Sequence, residues 1–531
     1  MLVALAAAVR LWGLDFGLPN TQCRPDENLP ALLALGFLRG DPNPHFFNWP
    51  SLYMYALAVL YLGYYLMGRA AGAFPALRQF ASVTQLDWTP FHLIGRGLSA
   101  LLGTATVVVV YRLASCLFSR ATGLVAAFFL SLCFLHVRHS HFGVMDVPVT
   151  LFAMWSMLFL VRGHFDRRSR DFVLAGVLGG LATATKYNAV VLLVPALASA
   201  GIHLVDARAQ GARGLDCRLV LFAAAFAAAF VAGTPFAVLD PRHFLTGLVA
   251  EARNVRVGPG IDLGPGWIHH LRVSLRYGLG WPLLLAGGLG FVVLWVQDWR
   301  RAALVSAFPV TYYAVAGGSH TVFARYAVPL APFLCVSAAA LVVTLAGALP
   351  GRGPLRAAAT VTLALAVVLP SAWSVVRFDR LLARTDSRLL AARWIEEHVP
   401  GGSSILQTGS PYGQVQLGWR RRAQPGYARW SYDPSRRVFL SRGRVVDGLP
   451  EWIIVQESPL VLYSETPAFV SGLVGGGSYT LVQAFRALDM DAPGNVFDQQ
   501  DAFFLPLAGF HRIHRPGPNL YIYRRSDVVV R

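Results

Sequence analysis

The sequence predicts a polytopic α-helical membrane protein with a soluble α/β domain at its carboxyl end. Two observations predict it. Of 531 residues, 55% are hydrophobic and only 14% charged, with a mean hydropathy of +0.49, where a soluble chain carries about 25% charged residues. Apolar runs of near-membrane length recur up to residue 373, and beyond it they shrink to strand length.

Taken in order, the expected spans are residues 1–19, 93–117, 122–138, 147–162, 172–187, 188–204, 219–238, 275–296, 302–318, 326–347 and 357–373. That makes about eleven. The first lacks a basic leader and a small-residue cleavage site, so it reads as a membrane helix rather than a signal peptide. The stretch SLYMYALAVLYLGYYLMG, 51–68, is apolar enough to cross but rich in Tyr, which favours an interface.

Arginine placement decides between the two topologies. With 51–68 lying on the membrane, the inner loops 112–121, 161–171, 205–218, 297–301 and 350–356 hold 13 Arg in 47 residues. The outer segments 20–92, 136–146, 239–276 and 319–326 then hold 11 in 130. Excess cytoplasmic Arg is the normal bias. This places the amino end inside, and puts the acidic motif after the first span and the carboxyl domain outside. Residues 1–373 form the expected membrane domain, with 20–92 as a first outer loop carrying interfacial helices, and 374–531 the outer α/β domain. In the latter, TDSRLLAARWIEEHV (385–399) reads as a capped helix, while ILQTG, WIIVQES, SYTLVQAF and LYIYRR read as strands.

The formal charge of +18 is spread along the chain rather than gathered in one stripe, which argues for topology and anionic lipid rather than nucleic acid. Five Cys show neither a disulfide framework nor metal spacing.

Three outward segments carry chemistry. In NTQCRPDENLP, Asp26 and Glu27 follow Arg24 at a membrane boundary; a carboxylate there can take a hydroxyl proton or cap the next helix. In HVRHSHFGVMD, Arg138, His139, His141 and Asp146 crowd a membrane edge. Ionisable groups at such depth mark a site unless they snorkel to the interface, and their spacing fits no strong metal template. In GLATATKYNAVV, Lys186 is the only lysine among 46 basic residues. A compact ammonium suits a phosphate oxygen, or it anchors a helix end. Tyr187 beside it, and Arg325 in HTVFARYAVPLAP, are further candidates, with Arg253 and Arg256 as outer cations.

RPDE, GDPNPHFFNWPSLYMYALAVLY (40–61), HVRHSHFGVMDVP, ATKYNA and RYAVPLAP occur in that order. Together they resemble the GT-C glycosyltransferases, and among them bacterial glycosyltransferase family 39, akin to protein O-mannosyltransferases and to aminoarabinose transferases. The resemblance spans roughly residues 1–375. It implies a multi-pass protein of the bacterial cytoplasmic membrane that moves a hexosyl or pentosyl group from a polyprenyl-phosphate carrier to an acceptor hydroxyl. Transfer would occur at the outer face, with inversion. It implies Asp26 as base with Glu27 beside it, Asp146 as the second acidic position, and Lys186 at the carrier phosphate, where the outer cations Arg325 and Arg138 are expected to join it. Arg24, His139, His141 and Tyr187 would touch donor or acceptor. No cofactor is expected to be required, a divalent metal stays open as an alternative without being predicted, and the chain lacks a nucleotide phosphate loop. The carboxyl domain does not resemble the acceptor domains of protein mannosyltransferases, which leaves protein, lipid and glycan acceptors open. An inactive assembly relative would tolerate loss of Asp26. A transporter would need repeated, interrupted helices instead.

Overall fold

The structure is a computed structural model, and it describes the chain except residues 75, 78–79, 81–86, 210–216, 259, 351–352, 418–425 and 528–531. Two compact units emerge. The first is built from Met1–Trp12, Leu29–Val83 and Pro90–Val376, and the second from Gly13–Asn28, Thr84–Thr89 and Arg377–Arg531.

The first unit is a helix bundle. Among the described residues, five helical stretches are long and apolar enough to cross a membrane: Thr89–Leu117, Asp146–Asp166, Tyr187–Ala209, Ala324–Ala348 and the one beginning at Gly353. Two bent pairs raise the number to seven. The other expected spans are shorter or more polar helices: Leu2–Leu11, Ser169–Thr185, Cys217–Gly233 and Trp299–Gly317. Every apolar run foreseen in the sequence is therefore helical over much of its length, but not every one is a straight crossing.

Three expectations need correction. The run 1–19 is not one span, because its helix stops at Leu11 and residues 12–19 turn. Gly13 takes φ of +78°, a conformation that opposes helix continuation. The run 122–138 is broken between Ser131 and Phe134, and Arg120–Ser131 meets Phe134–Ser140 at 58°. The freed carbonyls are not left bare: buried Arg10 donates to Leu130 O (3.1 Å) and Ser131 O (3.2 Å) and contacts His136 Nδ1 (3.0 Å). The run 275–296 bends by 114°, turning at Gly280, whose φ is +80°.

Small residues set the closest helix approaches. Ser169–Thr185 packs on Cys217–Gly233, and a Cβ at Gly176 or Gly180 would collide with the carbonyl oxygens of Phe222 or Phe226. This four-residue spacing of glycines is how membrane helices bring their backbones together. The helix Leu52–Ala70 buries Tyr53, Met54, Leu57 and Tyr61 and exposes Val59, Leu60, Leu66 and Met67. Among the described residues it does not join the helices apolar enough to cross.

The second unit is a mixed sheet with helices on both faces. Its strands are β1 (Ser404–Gln407), β2 (Ala428–Asp433), β3 (Val438–Ser441), β4 (Arg444–Val446), β5 (Trp452–Glu457), β6 (Tyr479–Phe485) and β7 (Asn519–Arg525). Their order is β4-β3-β2-β1-β5-β7-β6. β1 runs parallel to β2 and β5, and all other pairs are antiparallel. Helix Ser387–His398 starts where the sequence expects one; Asp386 caps it, accepting from Arg388 N at 2.9 Å. Ala391, Ala392 and Ile395 then pack on Ile405, Ile454 and Ile522 of one sheet face. Leu406, Ile453 and Tyr479 of the other face pack on Val470 of helix Ala468–Gly475.

Candidate functional site

In the bundle unit, helix Ser169–Thr185 ends just before Lys186, which adopts an extended backbone (φ −154°, ψ 124°) before the 3-10 turn Tyr187–Leu192. The break aims the side chain sideways, where its Nζ donates to Asp146 Oδ1 at 2.6 Å. Asp146 is the first residue of helix Asp146–Asp166, where the positive end of the helix dipole favours a carboxylate. The Lys186 ammonium also lies 4.8 Å above the Tyr326 ring, from the turn Ala324–Leu330. Three segments far apart in sequence therefore meet at one cation.

Burial in this pair is uneven. The Asp146 side chain is 5% exposed and that of Lys186 20%. An ammonium carries three donors; the carboxylate takes one, and the partly open side leaves room for another anion. Next to the pair, Asn188 Nδ2 donates to Tyr312 OH at 2.8 Å, while its Oδ1 is buried with no hydrogen-bond partner among the described residues.

The other expected residues distribute as follows. Arg325 adjoins Tyr326 in the chain, and its guanidinium stacks 4.2 Å over Phe323. Arg138 and His139 are buried on helix Phe134–Ser140. His141 Nδ1 lies 3.0 Å from Val137 O and its Nε2 3.2 Å from Trp12 O, and a neutral ring, with one N–H, donates to one of the two. Tyr187 donates to Phe47 O at 3.0 Å. For His141 and Tyr187 these are structural commitments, tying turn to helix and loop to bundle.

That loop is held at several points. Asn43 donates to Asp240 Oδ2 (3.1 Å) and Asn48 to Glu251 Oε2 (3.3 Å), and Gly247 leaves space for Phe47, which a Cβ there would invade. His45 contacts Asp41 at 2.8 Å and His243 contacts Asp240 at 2.7 Å. The hydrogen bonds from His45 and His243 hold the Asp41 and Asp240 carboxyls below the usual carboxylate range.

Arg24, Asp26 and Glu27 lie in the second unit, on its segment Gly13–Asn28. Arg24 is buried and donates to Asp501 Oδ1 at 2.5 Å, with its guanidinium 5.7 Å from the Phe503 ring. Asn20 and Thr21 bond Gln414 and Gln416. Asp26 sits on a left-handed turn, φ +68°, and Glu27 is buried. An aspartate tolerates that conformation better than most residues, and stored backbone strain of this kind gathers at functional turns. Helix Asn28–Phe37 begins two residues later.

Sequence reading missed Tyr326, Tyr312 and Asn188 around Lys186, and Asp501 as the partner of Arg24. Tyr326 and Asn188 lie inside the quoted motifs RYAVPLAP and ATKYNA, one or two places from the charges that drew attention. Asp501 carries no local signal. Among the described residues no cluster of three or more metal-ligating side chains occurs.

The architecture defined by this bundle and its sheet-bearing second unit is the GT-C fold. Residues 93–232, which include Asp146 and Lys186, match the family described as dolichyl-phosphate-mannose-protein mannosyltransferase. Over the whole chain the fold is similar to that of ArnT from Cupriavidus metallidurans. The form bound to undecaprenyl phosphate superposes with a TM-score of 0.53 at 14% identity, covering 100% of this chain and 98% of that one. The apo form gives 0.52 at 13% identity, covering 98% and 97%. The Archaeoglobus fulgidus oligosaccharyltransferase in its apo form gives 0.49 at 12% identity; the match covers 77% of this chain and 62% of that protein's length. No curated protein matches the sequence significantly.

Proposed function

We propose that this protein is an inverting glycosyltransferase that moves a sugar from a polyprenyl-phosphate carrier to an acceptor hydroxyl at the outer face of a bacterial cytoplasmic membrane. The observation that carries the reading is the Asp146–Lys186 pair: a lone lysine, partly open, held by a buried carboxylate in the segment that matches the mannosyltransferase family. The solved ArnT structure with undecaprenyl phosphate supports a lipid phosphate as the ligand of such a cation.

In this mechanism Asp146 fixes the direction of the ammonium, and Lys186 uses a remaining N–H to meet a phosphate oxygen. Arg325 and Arg138 add positive charge. Asp26 takes the proton from the acceptor hydroxyl as its oxygen attacks the anomeric carbon from the face opposite the phosphate. The bond from that carbon to the phosphate oxygen breaks, and the carrier leaves with the electron pair as polyprenyl phosphate. A phosphate leaving group is already anionic, so it needs cations rather than a general acid. Glu27, Arg24, His139 and His141 support the turns that present these groups. The Arg bias of the loops supports an outward orientation for Asp26 and for residues 374–531.

The test is turnover by purified protein given a radiolabelled polyprenyl-phosphate sugar and an envelope extract as acceptor. Wild type transfers label and Asp26→Asn does not. Equal transfer by both would remove the base; no transfer by either, with donor bound, would favour an inactive relative.

A further inference from the structure

The second unit contains a feature that sugar transfer by the bundle does not use. β1 is flanked by parallel neighbours on both sides: the chain passes from β1 to β2 on one side and, after β3 and β4, crosses to β5 on the other. Such a reversal opens a crevice at the carboxyl ends of the strands, the usual place for a ligand in α/β sheets. A cavity of about 970 Å³ lies there, lined by Thr408–Ser410 after β1, Ser431 and Tyr432 of β2, and Glu465 and Phe469 beyond β5. Its size falls at the upper end of small-molecule sites.

The crevice is built rather than accidental. Gly409, at φ +69°, and Gly413 wrap the Gln456 side chain so closely that a Cβ at either would collide with it. Gln456 Nε2 in turn donates to Ser410 O (3.3 Å) and Tyr463 O (2.8 Å), which fixes the loop after β1.

The lining has a distinctive chemistry. Tyr432 and Phe469 stack at 5.3 Å with their planes 14° apart, and Phe469 is 47% exposed. Glu465 and Arg437 also line the cavity. Ser410 Oγ is buried with no hydrogen-bond partner among the described residues. A flat apolar face next to one strong acceptor and one forked donor suits a molecule that is apolar on one side and carries adjacent hydroxyls on its edge. A pyranose ring has that shape. Lipid tails would leave two charged groups unsatisfied, at a large desolvation cost.

We propose that this crevice binds a pyranose residue of a glycan. Glu465 accepts from one sugar hydroxyl, Arg437 donates to its neighbour, and the ring face rests on Phe469. On the reading that the protein transfers a sugar, the bound glycan is the acceptor, which this site would recognise through residues remote in sequence from Asp26 and Lys186.

The experiment is saturation-transfer NMR on the full-length protein in nanodiscs, with maltotriose, cellotriose and chitotriose as probes. At least one trisaccharide should bind saturably. Phe469→Ala and Glu465→Gln, both at exposed positions, should each weaken it by about tenfold or more, with the circular dichroism spectrum unchanged. Asp26→Asn should bind like wild type while failing to transfer. No saturable binding of any probe, or undiminished binding by both crevice variants, would overturn the proposal even where transfer activity is intact. Normal trisaccharide binding by a protein with no transfer activity would overturn the transferase reading and leave the crevice standing.

Discussion

Replacing Lys186 by Gln should do two separable things. The ion pair it breaks is short, 2.6 Å, and its carboxylate is 95% withdrawn from water, while the lysine keeps one-fifth of its surface exposed. Removing one partner of a fully buried pair costs about 3–5 kcal/mol, because a charge is stranded. The open side of Lys186 and the helix N-terminus beneath Asp146 lower that figure, so we expect a loss of about 2–4 kcal/mol. Asp146→Asn alone strands the ammonium less, since water reaches it. In the double variant neither charge remains, and the two effects should fail to add by at least about 1 kcal/mol. The assay is thermal unfolding in detergent, with the four proteins of the cycle measured with and without undecaprenyl phosphate. Wild type should gain stability from the lipid, as any protein does from a ligand that binds only its folded form. Lys186→Gln should lose most of that gain, and Lys186→Arg should recover part of it, since a broad guanidinium cannot replace a compact ammonium. Additive single effects would refute the ion pair. An unchanged lipid-induced shift in Lys186→Gln would refute its role at the phosphate.

Other consequences are equally measurable. Asp26→Asn should slow transfer a hundredfold or more, about 3 kcal/mol of transition-state stabilisation, with donor binding unchanged by titration. Gly180→Leu should drive a side chain into the Phe226 carbonyl and lower stability by about 1–3 kcal/mol, read as a lower Tm in detergent. Asp41 and Asp240 have folded pKa values depressed below 3.8 by their histidine partners, so the stabilisation they give is present above that value and lost as pH falls through the folded pKa. Relative to the intrinsic exchange rate at each pH, the protection of residues 41–48 should therefore fall below about pH 4 compared with pH 6, and Asp240→Asn should remove much of that pH dependence.

Much of the fold was legible because membrane burial leaves a coarse signature. Long apolar runs and biased Arg loops specify helices and connections without any knowledge of packing, and the Asp386 cap announces the helix from Ser387. The breaks were not legible. Arg10 makes the interruption after Ser131 tolerable from 120 residues away, and a glycine within an apolar run, such as Gly280, reads in sequence like any small packing residue. Strands β5, β6 and β7 showed as apolar or aromatic runs, whereas β2 to β4 (ARWSYD, VFLS, RVV) are half-buried or exposed along most of their length, and β3 and β4 have only four and three residues.

The candidate site divides in the same way. Lys186 stood out by scarcity, and Asp146 by its place at a membrane edge, but nothing in the sequence paired them. That pairing depends on a helix ending at Thr185 and another starting at Asp146. The buried Arg24–Asp501 bridge joins residues 477 apart in the chain, a contact only tertiary structure supplies. His141 and Tyr187 drew attention because polar residues at a bilayer edge usually signal function; the contacts of His141 with Val137 O and Trp12 O and the hydrogen bond of Tyr187 to Phe47 O were not legible in the sequence.

The central claim, sugar transfer from a lipid carrier, is tested most directly by mass spectrometry of envelope glycans from cells carrying the wild-type protein, no protein, or Asp26→Asn at equal abundance. The account predicts one glycan species heavier by a single sugar residue in the wild type, and its loss in both other strains. Identical glycan profiles in all three, or a profile restored by Asp26→Asn, would contradict it.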